Sequence, residues 1–124
     1  MSTVRGTNNA LERALLDALD RLLEALKLNP LGDDRFQVIS EPSRSDRVYG
    51  GQTLAQALVA ASATVDGKQP HSLHGYFAQA GAPEQPIDLA VDRVRDGRSM
   101  STRQVKVTQG DRPLLVAMVS SMCF

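Results

Sequence analysis

Apolar positions follow two rhythms along this chain, changing over near residue 66. Early on, Leu11, Leu15, Leu19, Leu22 and Leu26 recur at intervals of four, four, three and four, which is one face of a helix. Glu12, Arg13, Asp17, Asp20, Arg21, Glu24 and Lys27 fill the other positions. Asn29-Pro30-Leu31-Gly32-Asp33 reads as a run of breaker residues that ends this helix. Its charges are of both signs, so the leucine face is fitted to the rest of the domain or to a partner rather than to a lipid surface. Arg35 to Ser40 reads as a short strand and Glu41 to Asp46 as a polar loop. A second helix is expected from Gly51 to about Val65, with Leu54, Leu58, Ala61 and Val65 on one face. Ala55, Ala57, Ala60 and Ala63 widen that face, so much of its circumference can be buried.

Past the turn at Asp66-Gly67-Lys68-Gln69-Pro70 the pattern shortens to the period of a strand. Strands are predicted over His71–Gln79, Ile87–Arg95, Ser99–Gln109 and Pro113–Phe124. Ile87, Leu89 and Val91 alternate with Asp88 and Asp92, the signature of a half-buried strand. Asp96-Gly97 is a strong hairpin signal, Gln109-Gly110-Asp111 makes the next turn, and Pro113 is tolerable at a strand start. The order predicts an α+β fold, with one long helix lying across an antiparallel meander. In the last strand Leu114 to Val119 are all apolar, so both faces are expected to be covered and its edge to seek a partner.

Composition narrows the classes. With 124 residues one domain is the simplest expectation, residues 1–10 forming a flexible lead and 11–124 the folded unit. Fourteen basic and fourteen acidic side chains cancel, whereas a nucleic-acid binder needs a basic excess. No apolar run reaches the ~18–20 residues of a membrane span, and the polar N-terminus has no signal-peptide pattern. Cys123 is alone, without a disulfide framework or a thiol cluster for metal. A cytoplasmic location is the default expectation.

The stretch Arg47-Val48-Tyr49-Gly50-Gly51-Gln52-Thr53-Leu54-Ala55-Gln56-Ala57 resembles the opening of the central helix in the type II (TesB-like) acyl-CoA thioesterases. His71-Ser72-Leu73-His74-Gly75-Tyr76-Phe77 resembles that family's next strand, and Val94 to Ser99 with Thr102-Arg103 its next hairpin. The similarity covers about residues 11–122, with the motifs in the family's order. It implies a single hotdog domain, a sheet wrapped around the helix from Gly51. It also implies hydrolysis of acyl-CoA to free acid and CoA, without metal or organic cofactor. Members usually carry two hotdog units, and this chain matches the first. The family's water-activating Asp, helped by a hydroxyl residue and a Gln, belongs to the second unit. Two departures stand out: Ala78-Gln79-Ala80-Gly81-Ala82 replaces the usual Leu-Arg-Pro-Gly-Asp, and the end, Ser120 to Phe124, lacks the usual Phe-Gln finish.

Thioester hydrolysis needs a base for water and donors for the developing oxyanion. Backbone N–H groups at Gly50 and Gly51 are candidates to polarise the carbonyl, or else the glycines only permit a tight helix entry. Gln52 and Gln56, one turn apart, are candidates to hold a water or a pantetheine amide, or else form the helix's polar edge. No acid lies between Gly51 and Val65, and the resemblance sets Ser72 on or near the position of the second-unit Asp. His71 and His74 flank Ser72; imidazole titrates near neutrality, so His74 is the candidate catalytic group, or a hydrogen-bonded structural one. Tyr76 is a candidate substrate contact. Arg98, with Arg93, Arg95, Arg103, Lys106 and Arg112, either docks the phosphates of CoA or belongs to a solvated charged hairpin. Asp66, Asp88, Asp92, Asp96 and Asp111 are expected in solvent. The expected function is water attack on an acyl-CoA thioester by a homodimer or by pairing with a second hotdog unit. The alternative is a non-catalytic acyl-CoA-binding or structural half that awaits a unit supplying the Asp.

Overall fold

The computed structural model describes residues 5–39, 50–82 and 85–123. Two helices and six strands follow in the order α1 (Arg5–Ala25), β1 (Asn29–Gly32), β2 (Arg35–Ile39), α2 (Gly50–Ala63), β3 (Gln69–Phe77), β4 (Pro86–Asp96), β5 (Met100–Gln109) and β6 (Arg112–Met122). All six strands form one antiparallel sheet in the order β1-β2-β4-β5-β6-β3. The expected polar loop Glu41 to Asp46 lies outside the described residues.

Pairing between strands sets the inner face of the sheet. Leu89 sits opposite Val107, and Val107 opposite Leu115, which in turn faces Phe77. The next row runs Val91, Val105, Ala117, Gly75. Ile87, Leu89, Val105, Val107, Leu115, Ala117 and Val119 are all buried, and α2 adds Ala57, Ala60 and Ala61 at 0% exposure. Burying a Val or Leu side chain contributes roughly 1.5–3 kcal/mol, so these rows dominate the fold's stability. Small residues on both sides let helix and sheet approach closely. A Cβ added at Gly75 would stand 2.8 Å from Leu54 Cδ1 and 3.1 Å from Leu115 Cδ1, so any larger residue at this strand position makes those leucine side chains shift.

The structure revises three expectations. Asn29–Gly32, read as breakers, forms β1 and turns back into β2 through Gly32, Asp33 and Asp34, whose φ angles are 90°, 55° and 58°. Left-handed backbone at three successive residues makes a tight reversal, and glycine and Asp are among the residues that tolerate it. The meander holds only for β4, β5 and β6; β3 leaves α2 and crosses to the far side to pair with β6. Consequently β6 is interior, covered by β5 and β3, and the strand with an open edge at that end is β3. On the α1 face expected to pack on the domain or on a partner, Leu11, Leu15 and Leu19 are about half exposed or more, and Leu26 is half-buried.

Charge is placed less simply than alternation suggested. Arg103, expected at the surface, is 2% exposed. Its Nε donates to Thr64 Oγ1 at 2.7 Å, and its Nη2 to Thr64 O at 3.0 Å and Asp96 Oδ1 at 2.8 Å. Nη1 donates to the carbonyls of Arg95 and Thr102. A single guanidinium thus satisfies a carbonyl just past the end of α2 and closes the β4–β5 hairpin. Asp96 is therefore an ion-pair partner rather than a free turn residue. Asp88 is half-buried and accepts from Gln37 Nε2 at 3.0 Å.

Candidate active site

A cavity of about 270 Å³ opens at the N-terminal end of α2, lined by Gly50, Thr53, Phe77, Ala78, Gln79, Ala80, Gly81 and Leu114. Gly50 and Thr53 come from the helix's first turn, where the backbone N–H groups have no intrahelical acceptor and the dipole is positive. Glycine fits here because the ring of Phe77 closes on it: a Cβ at Gly50 would be 3.2 Å from Phe77 Cε1. The far wall is the loop after β3. Ala78 and Gln79 donate their N–H groups to Leu114 O at 2.8 and 3.4 Å, which ties the loop to β6. Among the described residues lining it, none carries a titratable side chain.

The expected site residues divide into three places. Gly50, Gly51 and Gln52 share the first turn of α2 beside the cavity, Gly51 exposed and Gln52 half-buried. Gln56, one turn further on, is fully buried in the helix–sheet core rather than forming a polar edge. Ser72, His74 and Tyr76 lie on β3, where they alternate with Leu73, Gly75 and Phe77, the residues that face α2. They therefore occupy the opposite face of the sheet, and within one chain they are not brought to Gly51. His74 packs edge-on against Tyr76 with ring centroids 4.8 Å apart, and Tyr76 is 68% exposed. Arg98 sits in the β4–β5 turn, the hairpin that Arg103 fastens to the residue just past α2's last turn. That puts Arg98 about 20 Å of helix length from Gly50, at 1.5 Å per residue over the 14 residues of α2.

Neighbouring groups are already engaged. His71 Nε2 is 2.8 Å from Ser120 Oγ, at the bulge where β3 changes register, and lines a second cavity of about 230 Å³ with Leu58, Pro70, Ser72 and Leu73. Lys68 Nζ donates to Gly97 O and Ser101 Oγ, both at 2.9 Å. The Arg93 guanidinium binds both carboxylate oxygens of Asp34 at 2.7 and 3.1 Å and holds that carboxyl below its ordinary range. Cys123 Sγ lies 3.8 Å from the carbonyls of Gly67 and Arg98, exposed and far from the cavity. Among the described residues there is no group of three or more His, Cys, Asp or Glu placed to hold a metal, and no helix long and apolar enough to cross a membrane.

Sequence reasoning missed Thr53, Phe77, Leu114 and the loop itself as cavity residues. The signal for the loop was present, since Ala78 to Ala82 is where the chain departs from the pattern it otherwise resembles. Arg103 and Gln109 were also legible in principle: they share parity with Ser101, Val105 and Val107, the inward positions of β5.

One helix across a six-stranded antiparallel sheet, with a cavity at the helix N-terminus, defines a single hotdog unit. A family model described as the acyl-CoA thioesterase N-terminal domain matches residues 39–122, and the chain belongs to that family. It is 41% identical over 96 residues to human acyl-coenzyme A thioesterase 8, covering 77% of this chain and 30% of that protein. With acyl-CoA thioesterase 2 of Haemophilus influenzae it shares 37% identity over 94 residues, 75% of this chain and 33% of that one. The solved tesB protein of Mycobacterium avium subsp. paratuberculosis superposes with a TM-score of 0.80 at 39% identity, over 84% of this chain and 42% of that structure. The chain thus spans about a third of the length of these curated relatives.

Proposed function

We propose that this chain is the first half-site of an acyl-CoA thioesterase. It holds the acyl-CoA at the N-terminus of α2 and receives its general base from a second hotdog unit. The observation that carries this is the cavity beside Gly50: it has donors and apolar walls but, among the described residues, no group able to take a proton from water. The names of the relatives supply the substrate class. The acyl chain runs along Phe77 and Leu114, and the thioester oxygen faces the first-turn N–H groups, where the negative charge of the tetrahedral intermediate is stabilised. Water attacks directly, with no acyl-enzyme and no metal or organic cofactor.

The second unit joins along β3, as a second copy in a homodimer or as a separately encoded half. Gln69 to Phe77 are exposed except for Leu73 and Gly75, which are half-buried, and an unpaired strand edge is a template for another strand. Ser72, His74, Tyr76 and Arg98 then belong to the seam or to a surface presented to the partner, rather than to this unit's own cavity. A cytoplasmic location fits this reading. A second reading, an acyl-CoA-binding half without turnover, is favoured by the same lack of a titratable lining group.

The test is a panel of acyl-CoAs of increasing chain length, with binding and thiol release followed on the purified chain and its mass in solution recorded. Saturable binding with turnover only in a paired state supports the half-site. Binding without turnover in any state supports the second reading, and no binding contradicts both.

A further inference from the structure

The loop after β3 forms one wall of the cavity, yet it belongs to no strand. Its position is fixed from behind by Gln109, the last residue of β5, whose side chain is 2% exposed. Gln109 Nε2 donates to Ala82 O at 2.8 Å and to Gln85 O at 3.1 Å, while its Oε1 accepts from Ala82 N at 2.8 Å. One buried amide therefore reads both backbone groups of Ala82, as a neighbouring strand would. At the open side of the loop, Arg112 donates from Nε and Nη2 to Gln79 Oε1 at 3.1 and 3.0 Å, and from Nη2 to Ala80 O at 3.4 Å. The inner clamp is buried and the outer one exposed, so Gln109 carries more of the constraint.

Apart from Gln79, whose amide oxygen is held by Arg112, the residues this loop brings to the cavity are small: Ala78, Ala80 and Gly81, with Gly81 itself buried. With so little side-chain bulk, the width of the cavity is set by where the backbone runs rather than by what projects from it. We infer that Gln109 is a positioning residue that fixes this wall and thereby sets which acyl-chain lengths the cavity admits. The inference rests on the acyl-CoA reading of the cavity. Gln109 does not touch the ligand; it acts through Ala82 and the loop leading into it.

The experiment uses the full chain and thioether analogues of short-, medium- and long-chain acyl-CoA, which cannot be hydrolysed, so that binding is read without turnover. Amide hydrogen exchange is followed on the ligand-free chain in parallel. Gln109→Leu keeps the side chain's bulk and removes its hydrogen bonds. It is expected to speed exchange at Gln79 to Ala82, to weaken binding of the preferred analogue about tenfold, and to flatten the dependence on chain length. Arg103→Lys loosens the other end of α2 and is the control for lost stability: it is expected to lower the melting temperature while leaving the chain-length profile as in the wild type. Unchanged exchange at Ala82 in Gln109→Leu would overturn the clamp. Faster exchange with an unchanged chain-length profile would overturn the specificity role. A wild-type chain that binds no analogue would overturn the acyl-CoA reading, and this inference with it, whatever the exchange data show.

Discussion

Arg103 and Thr64 are joined twice, through Nη2 to the Thr64 carbonyl at 3.0 Å and through Nε to Thr64 Oγ1 at 2.7 Å. Thr64 directly follows α2, so one side chain from the middle of the sheet fixes the helix's C-terminal end. Arg103→Met would remove the charge and leave the Thr64 carbonyl and Asp96 without it. The expected loss is about 2–3 kcal/mol of unfolding free energy, typical of removing a buried charged donor from its hydrogen bonds while the half-exposed Asp96 returns to water. Arg103→Lys would recover part of this, because an ammonium cannot reach Thr64, Asp96 and two hairpin carbonyls together. Urea denaturation of the three proteins checks the order wild type, Lys, Met.

Gly50 is tested by a substitution of one carbon. A Cβ there meets Phe77 Cε1 at 3.2 Å, so the ring must give by a few tenths of an ångström. The aromatic wall then moves while the helix itself gains from replacing glycine. Gly50→Ala is expected to leave the melting temperature unchanged or slightly higher and to weaken acyl-CoA binding by about three- to tenfold, the result of mild overpacking at a ligand wall. Calorimetry with a thioether analogue beside a thermal melt separates the two effects.

Acid sensitivity follows from two carboxylates. A hydrogen bond and ion pair with Arg93 lower the pKa of Asp34, and those with Arg103, with help from Ser101, lower that of Asp96. A carboxyl whose folded pKa lies below its unfolded value stabilises the fold at every pH above the unfolded value, about 3.9 for Asp. That contribution is lost as pH falls below about 4 and through the folded pKa. The urea midpoint of the wild type is therefore expected to fall between pH 4 and the folded values, to a degree reduced in Asp34→Asn. A midpoint equally pH-dependent in that variant would show that Asp34 is not a source of the acid sensitivity.

Gly75 reports on the helix–sheet contact. Its absent Cβ leaves room for Leu54 and Leu115, whose Cδ1 atoms would stand at 2.8 and 3.1 Å from it. Gly75→Ala is expected to cost about 1–3 kcal/mol by overpacking, and Leu54→Val in the same chain to relieve part of that cost. A double-mutant cycle with no coupling would contradict the contact.

What was legible in the sequence was local. Ile87, Leu89 and Val91 announced β4 because alternate burial is written in neighbouring residues, and Gly50-Gly51 with the alanines announced α2. Pairing of β3 with β6 was not legible, since it joins Leu73 to Val119 across the whole second half of the chain and no local pattern encodes it. β1 was hidden because Pro30 and Gly32 are breakers by propensity, while at a sheet edge Pro need not donate to a ladder. Arg103 is expected on a phosphate-docking or solvated hairpin and Gln109 in a turn, although their parity in β5 already places both inward. Of the candidate cavity, the helix N-terminus is marked in the sequence by its glycines, whereas the far wall depends on Gln109 reaching back 27 residues to Ala82.

With one unit holding the substrate and a second supplying the base, turnover depends on pairing. Specific thiol-release activity measured against protein concentration, across the range where analytical ultracentrifugation shows the chain passing from monomer to pair, tests it most directly. Activity per chain should rise with the paired fraction and vanish in the monomer, or be absent until a second hotdog unit is added. Undiminished turnover by a chain that sediments as a monomer would contradict a shared site.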